Sequence, residues 1–358
     1  MPGKKLAVII GAVVLIAIAA VAVSTRGQPA PAPEPGPISE ETSWAIGETT
    51  VYATITRPDG DGPYPAVVFV PAMGPTDRDW NRPDLPGTNG SGRLLAEELA
   101  RDGFVTIRYD KRYAGPNAGE NLPHLEGKIS LAGHVEEIAG AVEDLAARPY
   151  VDPDRIYILS HDEGMFHALN YHLEHGERCA GLVLTAPPAR PLLETYMGQI
   201  RHVYGGIPGL EDVVPRFEAL VADFLDGQPF VPDPELPASL NNQVQTWSNP
   251  GNLPYMREVL PLDPADLLPQ ATAPVLVVIG QKDTVTDWET GGALLQTATA
   301  GLASITYEFP RTADRMLKHD LRPREEINPQ EYNIEGRVLD DTTVWLIKEW
   351  LKQQSQGQ

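Results

Sequence analysis

Apolar positions along the chain fall into two kinds of run that alternate. Residues 49–56 alternate and are β-branched, the mark of a half-buried strand. Residues 66–70 are continuously apolar between Pro65 and Pro71, as expected for a strand buried on both faces. Residues 105–109, 155–160, 180–186, 275–279 and 305–309 read as further strands. Between them lie helical patterns. Residues 91–102 place Leu94, Leu95, Leu99 and Ala100 on one face, and residues 134–148 do the same with Val135, Ile138, Val142 and Leu145. Another helix runs to about residue 175, and residues 342–351, with Trp345 and Trp350, close the chain. Strand and helix alternating in this way predict a mostly parallel, doubly wound α/β sheet.

The alternation is interrupted once. Residues 188–266 hold only helical patterns, around 192–203, 212–226 and 240–247, joined by proline-rich loops. They read as a helical cap inserted above the sheet. The elements so placed define one large domain, 44–352, with a short tail at 353–358.

The N-terminal pattern is different. Residues 6–23 form an uncharged apolar run of 18 residues behind Lys4 and Lys5. About 20 such residues span a bilayer, and the basic flank sets the N-terminus in the cytoplasm. Residues 1–27 are therefore expected to be a transmembrane anchor, with a cleaved signal peptide ending near Ala20-Val21-Ala22 as the alternative. Either way the main domain lies outside the cytoplasm, periplasmic or extracellular. Residues 28–43 carry proline at 29, 31, 33, 35 and 37 and read as a semi-rigid linker.

Composition narrows the function classes. The net charge is −21, and a surface that acidic repels phosphate backbones, which argues against nucleic acid as a partner. The single cysteine, Cys179, excludes an internal disulfide and is expected to be a buried thiol.

Candidate chemistry centres on Ser160-His161-Asp162-Glu163-Gly164. These five residues join a predicted strand to a predicted helix, which is the setting of a nucleophile elbow, G-x-S-x-G, with Asp162 in place of the serine. Four other stretches fall at matching intervals: Val67 to Gly74, the run Arg108-Tyr109-Asp110-Lys111-Arg112, the strand end Gly280-Gln281-Lys282-Asp283, and Ala313-Asp314-Arg315-Met316-Leu317-Lys318. With Asp152-Pro153-Asp154-Arg155 leading into the elbow, the order resembles the α/β-hydrolase superfamily in its esterase, lipase and serine-peptidase-like branch.

That resemblance implies a catalytic acid at Asp283, a nucleophile position at Asp162, a histidine position at Arg315, and oxyanion donors around Met73 and the backbone N–H of Glu163. It implies no cofactor. A hard cation on Asp162, Glu163 and Asp283 would need further oxygen ligands, and no metal is assigned. Superfamily members with an elbow aspartate, the haloalkane dehalogenases and epoxide hydrolases, form an alkyl ester that water must then cleave with the help of a base. Arginine cannot be that base. His319, four residues on, is a candidate substitute if the segment is helical. The expectation favoured is a protein without catalysis, in which Asp162, Arg315 and Asp283 form an ion-pair cluster and the cap and pocket bind a protein partner or small ligand. An active hydrolase of esters, epoxides or haloalkanes with Asp162 as nucleophile is the alternative, and a structural subunit of a membrane complex a third.

Overall fold

A computed structural model describes residues 36–357. One mixed sheet of eight strands runs in the order β1-β2-β4-β3-β5-β6-β7-β8. The strands are β1 (Ile38–Ile46), β2 (Thr49–Arg57), β3 (Tyr64–Val70), β4 (Val105–Tyr109), β5 (Val151–His161), β6 (Gly181–Thr185), β7 (Val275–Val278) and β8 (Ile305–Glu308). From β4 to β8 every neighbouring pair is parallel, while β2 is antiparallel to both β4 and β1.

Successive side chains of a strand point to opposite faces, and here both faces are covered. Ala66, Val68 and Val70 of β3 and Ile156 and Ile158 of β5 pack on one side. That side is closed by α3 (Leu131–Ala146) and α4 (Gly164–His175). Val67 and Phe69 of β3, with Tyr157 and Leu159 of β5, pack on the other. There α1 (Ser91–Arg101) and the last helix, α11 (Asp341–Gln356), supply Leu95, Leu99, Trp350 and Leu351. Burial on both faces is why these strands read as unbroken apolar runs.

The interrupted stretch is helical, with α5 (Leu192–Tyr204), α6 (Val213–Leu225), α7 (Ala238–Trp247), α8 (Tyr255–Val259) and α9 (Pro264–Leu267). Beyond the two short cap helices α8 and α9, three further elements were not expected. α2 (Ala118–Leu125) contains Pro123, and α10 (Thr290–Ala298) contains two glycines. The third, β1, begins at Ile38, inside the span 28–43 that composition marks as a linker. The reason is alternation with charged and polar residues: β1 is half-buried at every second position and exposed between.

Residues 6–23, the expected anchor, lie outside the described residues. Among the described residues no helix is long and apolar enough to cross a membrane. Cys179 is buried, its thiol donates to the Gly181 carbonyl at 3.4 Å, and burial pushes its pKa up to about 12.

Candidate active site

Asp162 sits between β5 and α4 with φ of +54°, in the left-handed region, and its N–H donates to the Thr185 carbonyl at 2.9 Å. A non-glycine residue rarely adopts that backbone unless its surroundings enforce it. The turn is enforced by close packing behind it: a Cβ on Gly164 would stand 2.8 Å from the Pro71 carbonyl oxygen. The side chain of residue 162 is thereby lifted off the sheet.

Asp283 follows β7, and its Oδ1 accepts from the N–H of Val285 at 2.7 Å and of Thr286 at 3.0 Å. Arg315 comes from the loop after β8. That loop is held by buried charge, with Asp314 paired to Arg337 and the Lys318 ammonium donating to the carbonyls of Asn89 and Tyr332. The three side chains meet. Arg315 Nε donates to Asp162 Oδ2 at 3.0 Å, Arg315 Nη2 reaches the same oxygen, and Nη1 lies 3.2 Å from each oxygen of Asp283. Asp162, Asp283 and Arg315 are all buried. Burial alone would raise the Asp162 carboxyl, but the Arg315 guanidinium holds it below the usual carboxylate range. Burial, only partly offset by Arg315, raises Asp283. Arg315 stays fully charged between them.

The two oxygens of Asp162 differ. Oδ2 is held by Arg315, whereas Oδ1 is buried and takes no hydrogen bond from an N–H among the described residues. Asp162, Glu163 and Arg315 line a cavity of about 270 Å³, roofed by Leu192, Thr195 and Tyr196 of the cap helix α5. Met73 of the expected oxyanion loop borders the same cavity. Behind that loop the buried Lys111 ammonium donates to the Ala72 carbonyl, and burial pushes its pKa down to about 7. Arg78 binds Asp110 and Arg112 binds Glu137, so the polar runs at 77–80 and 110–112 hold loops over the sheet.

Two histidines are placed away from the chemistry. His319 is not a turn of helix beyond Arg315: its segment is a loop with isolated bridges, and its Nδ1 lies 3.3 Å from Asp340 Oδ2 with the ring half exposed. The expectation that it substitutes as a base is corrected accordingly. His161, beside the nucleophile position, stacks on Trp80 at 4.7 Å and is pushed down to about 4 by burial, so it is neutral and structural. One feature went unread in the sequence, where Glu163 counted through its backbone N–H and as one carboxylate of a cation site that was not assigned. Burial, then the Asp162 charge beside it, pushes its carboxyl up to about 8.

Comparisons with known proteins agree with this geometry. The family described as serine aminopeptidase, S33 matches residues 90–308, more than half of the chain. An esterase, EstD of Thermotoga maritima, is 26% identical over 301 residues, covering 82% of this chain and 65% of the esterase. The chain thus spans just under two thirds of that relative's length. Among solved structures, a proline iminopeptidase of Mycobacterium smegmatis superposes with a TM-score of 0.52 at 14% identity over 89% of this chain and 99% of its own. A 2,6-dihydroxy-pseudo-oxynicotine hydrolase gives 0.51 at 13% over 88% and 67%. These two show the fold alone. The family and esterase matches overturn the expectation of a chain without catalysis, which rested on the loss of serine and histidine; they point to a hydrolase. The chain belongs to the serine aminopeptidase S33 family of the α/β-hydrolase superfamily.

Proposed function

We propose that this protein is a hydrolase that acts on small uncharged esters, epoxides or haloalkanes in the cavity beneath α5, with Asp162 as the nucleophile. The observation that carries the reading is the division of labour at Asp162. Oδ2 is fixed by Arg315, while Oδ1 is ionised, takes no N–H donor, and belongs to a residue that lines the cavity. A carboxylate held in one orientation with one free oxygen is arranged to attack an electrophilic carbon. Arg315 prevents the buried charge from being neutralised by a proton. Asp283 in turn fixes Arg315, as an acid fixes a histidine in the serine enzymes. The esterase relative supports esters as substrates.

The test is hydrolysis of a panel of p-nitrophenyl esters, styrene-type epoxides and chloroalkanes by wild type and Asp162→Asn. The asparagine variant is expected to lose about 10³-fold or more in kcat/KM. In wild type a covalent adduct should be found by mass spectrometry on the peptide that contains Asp162. Undiminished turnover in a folded Asp162→Asn protein would refute the assignment.

We also propose that residues 6–23 attach the domain to a membrane on its extracytoplasmic side, on the strength of that apolar run and its basic flank. Recovery of the full chain in the soluble fraction after cell lysis would count against it.

A further inference from the structure

We infer that the Glu163 carboxyl is a catalytic residue, giving its proton to an oxygen leaving group and then taking one from the water that frees Asp162. The inference rests on Asp162 as nucleophile, and it narrows the substrates to those that depart through oxygen, esters and epoxides, over haloalkanes.

Glu163 follows Asp162 directly, and both line the cavity under α5 with Arg315. The two carboxyls lie within hydrogen-bonding reach of each other. Glu163 also accepts from its own backbone N–H. In this fold that N–H, one residue past the nucleophile, points at the substrate oxygen. The acid therefore occupies the place where a departing or developing oxygen arrives. The nearby alternatives are committed elsewhere: His161 lies against Trp80, His319 against Asp340, and the Lys111 ammonium against the Ala72 carbonyl.

Charge favours the same assignment. With Asp162 and Asp283 ionised, Arg315 charged and Glu163 protonated, the four groups sum to −1. Once Asp162 is esterified and Glu163 ionised, the sum is again −1. At neither stage does the buried site gain an uncompensated charge. Burial and the adjacent Asp162 carboxylate keep Glu163 protonated at neutral pH. Esterification removes that neighbouring charge while Arg315 remains, so the proton becomes easier to release when a base is needed.

In the first step Asp162 Oδ1 bonds to the electrophilic carbon. The carbon–oxygen bond of the substrate breaks with its electron pair on oxygen, and that oxygen takes the Glu163 proton. In the second step the Glu163 carboxylate removes one proton from water as the water oxygen attacks the new ester. For an acyl adduct the attack falls on the acyl carbon and expels Asp162 as carboxylate. For an alkyl adduct it falls on Asp162 Cγ, and the second water proton leaves with the alcohol. Both routes return Asp162 ionised and Glu163 protonated.

The groups that act on Glu163 are Asp162, Arg315, Arg82 and Lys111, with Arg190 and Asp287 on the cavity wall and Tyr113, Tyr196 and Tyr255 nearby. The tyrosines are all raised above their ordinary value, but Lys111 titrates close to Glu163, so a variant is needed to assign a pH limb. On the full chain, Glu163→Gln keeps the side-chain shape. It is expected to lower kcat/KM for alkyl esters and epoxides about 10²–10³-fold. The loss of wild-type activity above about pH 8 should disappear with it. With a p-nitrophenyl ester the phenolate leaves unaided, so the variant should keep its burst and accumulate the adduct on Asp162. Glu163→Asp should recover part of the turnover, and thermal melting should report a folded protein throughout. A Glu163→Gln enzyme within about threefold of wild type, beside an inactive Asp162→Asn, overturns this inference and leaves Asp162 as nucleophile. A wild type that turns over haloalkanes but no ester or epoxide overturns this inference alone; an active Asp162→Asn enzyme, or a wild type that turns over none of the three, overturns both.

Discussion

Arg315 donates to Asp162 through Nε at 3.0 Å and to Asp283 through Nη1 at 3.2 Å, with all three side chains buried. Removing the cation leaves two carboxylates without compensation in a dry site, and breaking a buried pair in this way costs about 3–5 kcal/mol. Arg315→Met should therefore lower the unfolding free energy measured in urea by that amount, and Arg315→Lys should recover only part, because an ammonium cannot fork between two acids. The double variant Asp162→Asn/Arg315→Met should lose less than the sum of the single losses, since the partners share one interaction. Glu163 has the opposite sign of linkage from a salt-bridged acid. Its folded pKa, about 8, lies above its unfolded value, so its contribution is present at low pH and is lost as pH rises through that range. Glu163→Gln should flatten the decline in stability between pH 5 and 9 seen in urea titrations. The meeting of Asp162, Arg315 and Asp283 was legible in the sequence because the resemblance expects the acid at Asp283 and puts Asp162 and Arg315 at the positions of the serine and histidine. The environment of Glu163 was not, because its neighbours in the cavity come from the cap and from the loop after β8. His319 was misplaced for a related reason: four residues bring side chains together on a helix and not in a loop.

At the scale of elements, the parallel strands were legible because burial on both faces forces a continuous apolar run. Residues 66–70 and 275–279 carry that signature and form β3 and β7 nearly as expected. The edge strand β1 carries the weaker signature of alternation, with Ser39, Glu41 and Ser43 interleaved among Glu40, Thr42 and Trp44, and it merged into the proline-rich stretch before it. What fixes β1 is distant in sequence. It pairs along its full length with β2, Thr42 donates to Asp144 of α3 at 2.7 Å, and Trp44 lies against Gly140 of the same helix. A Cβ at position 140 would stand 2.1 Å from the Trp44 indole nitrogen. Gly140→Ala, which on an isolated helix would be favourable by about 1 kcal/mol, should instead destabilise by about 1–3 kcal/mol as β1 is pushed off. A thermal melt read by tryptophan fluorescence checks this, and a stabilised variant would mean that β1 yields freely. α10 escaped notice because Gly291 and Gly292 lower its propensity, while its place is set by Leu295 in the core.

The whole molecule combines two populations of charge that obey different rules. The site groups are buried, paired and little affected by salt, whereas the net charge of −21 belongs to the surface and is screened within about 8 Å at physiological ionic strength. The cavity beneath α5 opens into that field, with Asp162 and Asp287 ionised in its walls and Arg190 and Arg315 as the cations among its described lining residues. Arg190 is already paired with Glu194, and Arg315 with its two acids. An approaching anion therefore meets repulsion from the surface and finds no free cation in the wall. Of two esters matched in size, one neutral and one bearing a distal carboxylate, the neutral one should have the higher kcat/KM at low salt. Because the repulsion acts over a distance, the ratio should shrink as salt is raised from 10 mM to 0.5 M, while kcat/KM for the neutral ester changes little. A preference that stays constant across that range would place the discrimination in contacts at the cavity wall, and the long-range field would then have no part in choosing the substrate.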